Sequence, residues 1–175
     1  MSQLESEPSA AVRKQQPGTA SAALVGAAAG ALGTAAMTLF MKPGLVRFLP
    51  SKQQPVAFVP REIVTWAERR ILGRYVLNRT QRSIASTVSH IGYGASMGAV
   101  YGMTRRRTES VPAAVAGGVW GLLVWVAGYQ GWLPAAGVRP ATTSQRPAKW
   151  PVPIANHVVY GISTALAYEA LRRRA

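Results

Sequence analysis

His90 and His157 are the only histidines in this 175-residue chain, and each stands fifteen positions before a run of three arginines, Arg105-Arg106-Arg107 and Arg172-Arg173-Arg174. On helices rising ~1.5 Å per residue, both imidazoles would lie roughly 22 Å from the arginine end, nearer the opposite end than the middle. Two histidines at one depth on parallel helices suit a proton relay, a ligand site or a pair of axial ligands for haem. Tyr93 and Tyr160, three positions further on, are their candidate companions. The plainer reading is a helix-entry residue that hydrogen-bonds a backbone carbonyl or a headgroup, duplicated with its helix. No further ligand type stands nearby to complete a metal shell, so no metal is expected. The chain has no cysteine, which excludes disulfides, thiolate sites and a thiol nucleophile. Ser89 and Ser96 lack a base and acid partner. The glycines form no phosphate-binding loop ending in Lys-Ser or Lys-Thr. No catalytic residue is assigned, and a non-enzymatic protein is expected.

The elements that would position these residues follow from composition. Lys and Arg number 20 against 6 Asp and Glu, a net charge of +14, yet only 15% of residues are charged and 49% are hydrophobic. A basic nucleic-acid binder would be charged throughout. Here four long windows exclude charge, residues 15–41, 83–104, 110–138 and 150–168. Each approaches the length needed to cross ~30 Å of hydrocarbon. The expected fold class is all-α: a polytopic membrane protein with four transmembrane helices, at about 19–41, 83–104, 111–133 and 150–170. A polar tail, residues 1–18, would be disordered. Arg13 and Lys14 ahead of the first run raise a cleaved signal peptide as a rival, but the run exceeds the usual 7–15-residue apolar core. The windows hold no Asp, Glu, Lys or Arg at mid-depth, which argues against a proton- or cation-coupled carrier.

Between the first two windows, Ile63, Val64, Ala67, Ile71, Leu72 and Tyr75 recur at helical spacing opposite Glu62, Glu68, Arg69, Arg70 and Arg74. This predicts an amphipathic helix over about 61–77, lying in the headgroup layer or packed on the bundle end. Arg69, Arg70, Arg74 and both arginine triplets are the candidate contacts to anionic headgroups, a simpler partner than nucleic acid. The triplets, with Arg13 and Lys14, favour cytoplasmic termini. The nine basic residues of the first loop, Lys42, Arg47 and Lys52 among them, count the other way.

Setting His90 on His157 aligns Ser89-His90-Ile91-Gly92-Tyr93-Gly94 with Asn156-His157-Val158-Val159-Tyr160-Gly161 and runs without a gap to the arginine triplets. Gly30 and Gly33 find counterparts in Gly118 and Gly121. Two parallel helical hairpins of related sequence are expected. Glycines at helical spacing mark a packing face in each window: Gly26, Gly30 and Gly33, then Gly94, Gly98 and Gly102, then Gly117 and Gly121, then Gly161 with Ala165. Close backbone approach along such faces holds helices together in lipid, within the chain first and in a homodimer or larger complex on any face left over. Trp120, Trp125, Trp132, Trp150 and Tyr129 are placed as interfacial aromatics.

The stretch Val88-Ser89-His90-Ile91-Gly92-Tyr93-Gly94-Ala95-Ser96-Met97-Gly98 resembles the YagU-like family of small bacterial inner-membrane proteins. The likeness extends to Gly30 through Met37, Val124 through Gly137 and Ala155 through Thr164, covering roughly residues 22–173. The family often carries an acidic pair after the tryptophan of the third span, where this chain has Tyr129-Gln130. The resemblance implies an inner-membrane protein without an established activity, sometimes linked to acid or envelope stress, and supplies no catalytic residues. A role in envelope maintenance or as an accessory subunit is the expectation. A small permeation protein with His90 and His157 lining the path is the alternative, and a bis-histidine haem protein the third.

Overall fold

The computed structural model describes residues 18–41, 58–145, 147 and 150–174, without the Arg106 side chain. Most of these residues are helical, and there is no strand among them. Four long helices, α1 (Thr19–Phe40), α3 (Arg79–Arg105), α4 (Ala113–Ala135) and α5 (Pro151–Arg172), form an antiparallel bundle, and α2 (Val59–Leu72) lies at one end. Two of them, α1 and α4, are long and apolar enough to cross a membrane, with mean hydropathies of 1.7 and 1.3. The tail 1–17 and the loop 42–57, with Lys42, Arg47 and Lys52, lie outside the described residues.

Neighbours in the bundle run α3, α1, α5, α4. Glycine sets the first contact. A Cβ added at Gly26 would meet Gly98 and Gly102, and one at Gly30 would meet Gly94 and Gly98. Thr34 fits its side chain against Gly94 and returns its hydroxyl to the Gly30 carbonyl at 2.9 Å. Between α4 and α5, Gly117 faces Gly161 and Ala165, while Gly121 faces His157 and Gly161. Gly33 turns instead to Tyr160 and Thr164 of α5. Between α3 and α4 there is no such approach. Aromatic rings bridge that side, Tyr101 to Trp120 at 5.9 Å and Tyr93 to Trp132 at 6.3 Å between centroids. Trp120 thus sits inside the bundle, against the expectation of an interfacial ring.

The packing also moves the expected pairing of the first and third helices by one residue. Gly30 contacts Gly94 and Gly98, and Gly117 contacts the residues aligned with those, Gly161 and Ala165. Gly117, not Gly118, therefore takes the place of Gly30, and Gly118 meets only Ile162 at 4.0 Å. Runs rich in Ala and Gly align almost equally well in adjacent registers, and only the opposing backbone distinguishes them.

The amphipathic helix also differs from its expected bounds. It starts at Val59 with Pro60 in its first turn and ends at Leu72, because Gly73 adopts a left-handed φ of +67°. Glycine takes that conformation without steric cost and stops the helix. Asn78 and Gln81 then open α3 with reciprocal bonds, each side-chain oxygen accepting from the other's amide at 2.9–3.0 Å, a capping box.

Candidate functional site

The candidate site is a cavity of about 490 Å³ at the end of the bundle where α2 lies. Four helices and α2 contribute to its wall. Met37 comes from α1 and Met41 caps its end, Phe58 and Ile63 come from α2 and its entry, and His90 and Tyr93 from α3. Tyr129 and Trp132 come from α4, and Asn156 and His157 from α5. The lining is mostly apolar and aromatic. His90, Tyr93 and His157 all line this one space.

His157 is 9% exposed, and its Nδ1 lies 2.7 Å from the Pro153 carbonyl oxygen. A carbonyl only accepts, so Nδ1 carries the proton and, in the neutral ring, Nε2 keeps its lone pair. Pro153 sits in the first turn of α5, and the ring bonds to its carbonyl one turn back. The Tyr129 ring stands edge-on to His157 at 5.3 Å, and Phe58 stands edge-on to His90 at 5.5 Å. The side-chain oxygen of the cavity-lining Asn156 is buried without a hydrogen-bond partner among the described residues.

Tyr160 is not among the cavity-lining residues. It is 1% exposed and donates its hydroxyl to the Gly94 carbonyl at 2.7 Å. With Met37 and Val124 it forms a core cluster next to the cavity, and the buried Thr34 and Thr164 lie nearby. Tyr101 and Tyr168 fill the interior further along.

Sequence reasoning missed the backbone of α4 here. Residues Val126–Trp132 form a π-helical stretch that carries Gly128, Tyr129 and Trp132 on the cavity wall. Pro134 has no amide to give to the residue-130 carbonyl, which loosens the ordinary ladder one turn back. Gly128-x-x-Gly131-x-x-Pro134 was the available signal. The Gln130 side-chain oxygen accepts from Thr143 at 3.1 Å, and Gly137, at φ +71°, turns the chain after α4.

Ion pairs fix α2 across this end. Glu62 lies 3.4 Å from Arg139, whose guanidinium sits over the Tyr129 ring, 5.3 Å from its centroid. Glu68, expected on the polar face, is instead 4% exposed. It accepts Arg82 Nε at 2.8 Å and the amides of Leu77 and Val76 at 2.7 and 3.0 Å. The Arg82 hydrogen bond, then the Leu77 amide, lower the Glu68 carboxyl from 4.5 to about 2, with burial opposing. A lowered carboxyl stabilises the fold fully above its unfolded value and loses that contribution as pH falls toward its folded one. The anchoring of α2 should therefore hold above about pH 4.5 and fail progressively toward about pH 2. Fluorescence in detergent of a full-length variant that keeps Trp66 and carries phenylalanine at the other four tryptophans would report it. Glu68→Gln should show the acid-like signal already at neutral pH, and a signal flat from pH 5 to 2 would contradict the anchor.

The arginine candidates divide. Arg69, Arg70, Arg74, Arg107, Arg173 and Arg174 are exposed. Arg105 is not a headgroup contact. It is 3% exposed and turned inward, donating to Glu169 at 2.9 Å and to the carbonyls of Thr108 and Val111. Arg172 pairs with Glu109 and Glu169 at 2.8 and 2.6 Å. Arg105 is thus buried, while Arg172 stays partly exposed beside Glu109 and Glu169.

Among the described residues no group of three or more His, Cys, Asp and Glu converges as a metal shell. Fold and site together define an all-helical bundle, with two helices able to cross a membrane and a histidine-bearing apolar cavity at one end. The chain belongs to the DUF1440 family of proteins of unknown function, which it matches over residues 37–166, a stretch that includes every residue of the cavity wall. No curated protein and no solved structure matches it.

Proposed function

We propose that the chain is a non-enzymatic, four-span protein of the bacterial inner membrane that holds a lipophilic molecule in the His90–His157 cavity. The spans are α1, α3, α4 and α5, arranged as two related hairpins with glycine zipper contacts. The YagU-like resemblance agrees with this reading, and service in envelope maintenance or as an accessory subunit is the biological role that goes with it. The observation that carries the proposal is the cavity itself: about 490 Å³, mostly apolar, with the Asn156 oxygen unpaired and His157 held as an acceptor. Two acceptors in apolar surroundings suit a lipid-soluble molecule that brings a hydroxyl or another donor. Tyr160, Thr34 and Thr164 fill the interior beyond the cavity, which gives no support to a permeation path through the bundle.

A haem reading keeps one specific support. Metal-ligating histidines commonly donate their other nitrogen to a carbonyl, as His157 does to Pro153. The absorption spectrum of protein purified from haem-replete cells separates the two readings, a Soret band favouring haem and its absence removing it.

The four-span arrangement has a clean test because the chain holds no cysteine. Ser110 and Ser144 are exposed and follow α3 and α4 at opposite ends of the bundle. With Ser110→Cys and Ser144→Cys as single variants, an impermeant thiol reagent applied to intact spheroplasts should label one and spare the other. Labelling of both from the same side would overturn the arrangement.

A further inference from the structure

We infer that the groove between α2 and the turn after α4 binds the phosphate headgroup of an anionic phospholipid. The groove measures about 820 Å³, and its α2 wall carries Arg61, Thr65, Trp66, Arg69 and Arg70, with Gly137 across from them. The guanidinium groups of Arg61, Arg69 and Arg70 have no hydrogen bond or ion pair among the described residues. The groove's one carboxylate, Glu62, is drawn to Arg139. Three positive charges are thus left without a counter-charge in a concave surface, and nothing in the fold uses them.

Shape and neighbours select a lipid over a bare anion. Arg61 and Arg69 stand on one stripe of α2 two turns apart, roughly 12 Å along the axis. That span fits a headgroup with its ester region rather than a single phosphate. Trp66 lies between them, a ring suited to headgroup depth. Next in the chain after Arg70, Ile71 is 74% exposed, Leu72 53% and Tyr75, with Arg82 over one face of its ring, 58%. Acyl chains would cover this apolar surface, whereas an acidic peptide would leave it in water. A basic helix beside an exposed apolar one-turn patch is the pattern of interfacial attachment. The inference rests on the membrane reading above but not on the cavity. A protein that resides in the bilayer and shows no headgroup preference would sink this site and leave that reading intact.

The test uses the full chain in mild detergent, with short-chain phosphatidylglycerol, short-chain phosphatidylcholine and inorganic phosphate as separate titrants. The parent should bind phosphatidylglycerol in preference to phosphatidylcholine. The triple variant Arg61→Gln, Arg69→Gln, Arg70→Gln should lose at least about tenfold of that preference. The charge-matched triple Arg74→Gln, Arg173→Gln, Arg174→Gln should lose less than about threefold. Equal losses in the two triples, no preference in the parent, or displacement of the lipid by millimolar inorganic phosphate would each overturn the site. Thermal melting checks that the groove variant is folded. If it is not, Arg70→Gln alone carries the comparison and should lose a measurable part of the preference, while an unchanged preference counts against the site.

Discussion

Gly98→Leu should prevent the bundle from forming a stable packed state. A Cβ at Gly98 would run into the Gly26 carbonyl and lie 2.6 Å from the Gly30 Cα. Overpacking a core costs typically about 1–3 kcal/mol when side chains can yield. Here the obstacle is the backbone of α1, which cannot rotate aside, so the loss should reach or exceed roughly 3 kcal/mol. The contact is made at the middle of the helix, so separating the axes there also releases Gly94 from Thr34 and Gly102 from Ala22. Two controls make the experiment selective. Gly92 lies on the same helix with nothing within 4 Å of an added Cβ, and Leu123 is 55% exposed. Gly92→Leu and Leu123→Ala should each change stability by no more than about 0.5 kcal/mol. Thermal aggregation in detergent would rank the three, and a Gly98→Leu variant as stable as its parent would contradict the packing of α1 on α3.

The second large effect is expected at the end of the bundle away from the cavity, from Arg105→Met. The Arg105 side chain is 4% exposed and its Glu169 partner 13%. Removing the guanidinium strands a carboxylate and leaves the Thr108 and Val111 carbonyls without their donor. Breaking a buried pair from one side costs about 3–5 kcal/mol. Arg172 still reaches Glu169 at 2.6 Å, which places the expected loss at the lower end, roughly 3 kcal/mol. The double variant Arg105→Met, Glu169→Met should recover part of it, because no charge is then left buried without its partner. A loss below about 1 kcal/mol in the single variant would mean that Arg105 reaches solvent, and the inward-turned network would be wrong.

Much of this architecture could be read from residue types alone, and the exceptions share a cause. Uncharged windows between charged residues placed the four long helices to within a few residues, because charge is costly along an apolar helix and its absence is conspicuous. Glycine spacing marked a small-residue face on each helix without saying which faces meet, and Gly30 approaches Gly98 so closely that an added Cβ would lie 2.8 Å from the Gly98 Cα. The equal depth of His90 and His157 followed from counting residues. What could not be read depends on tertiary partners. Glu68 was placed with the polar face of α2, but Arg82, fourteen residues on, pulls it inward. Arg105 belongs by sequence to a basic triplet, and only Glu169, sixty-four residues away, turns it from the surface. The π-helical stretch of α4 and the cavity it walls arise from Pro134 acting on the turn before it, an effect that hydropathy does not register. The end of α2 at Gly73 was legible in principle, as was the Asn78-x-x-Gln81 box that opens α3.

The cavity is the central claim, and the amount of bound lipophile measured by mass spectrometry of an organic extract tests it most directly. Gly128 lines the cavity, and a Cβ there would find only Trp132 Nε1, at 4.0 Å. Gly128→Leu can therefore fill the space without colliding with backbone. The parent, purified in mild detergent, should yield a defined lipophilic species in near-stoichiometric amount, and Gly128→Leu should yield little of it at unchanged thermal stability. The same quantity from both proteins, or no defined species from the parent, would contradict a ligand-holding cavity between His90 and His157.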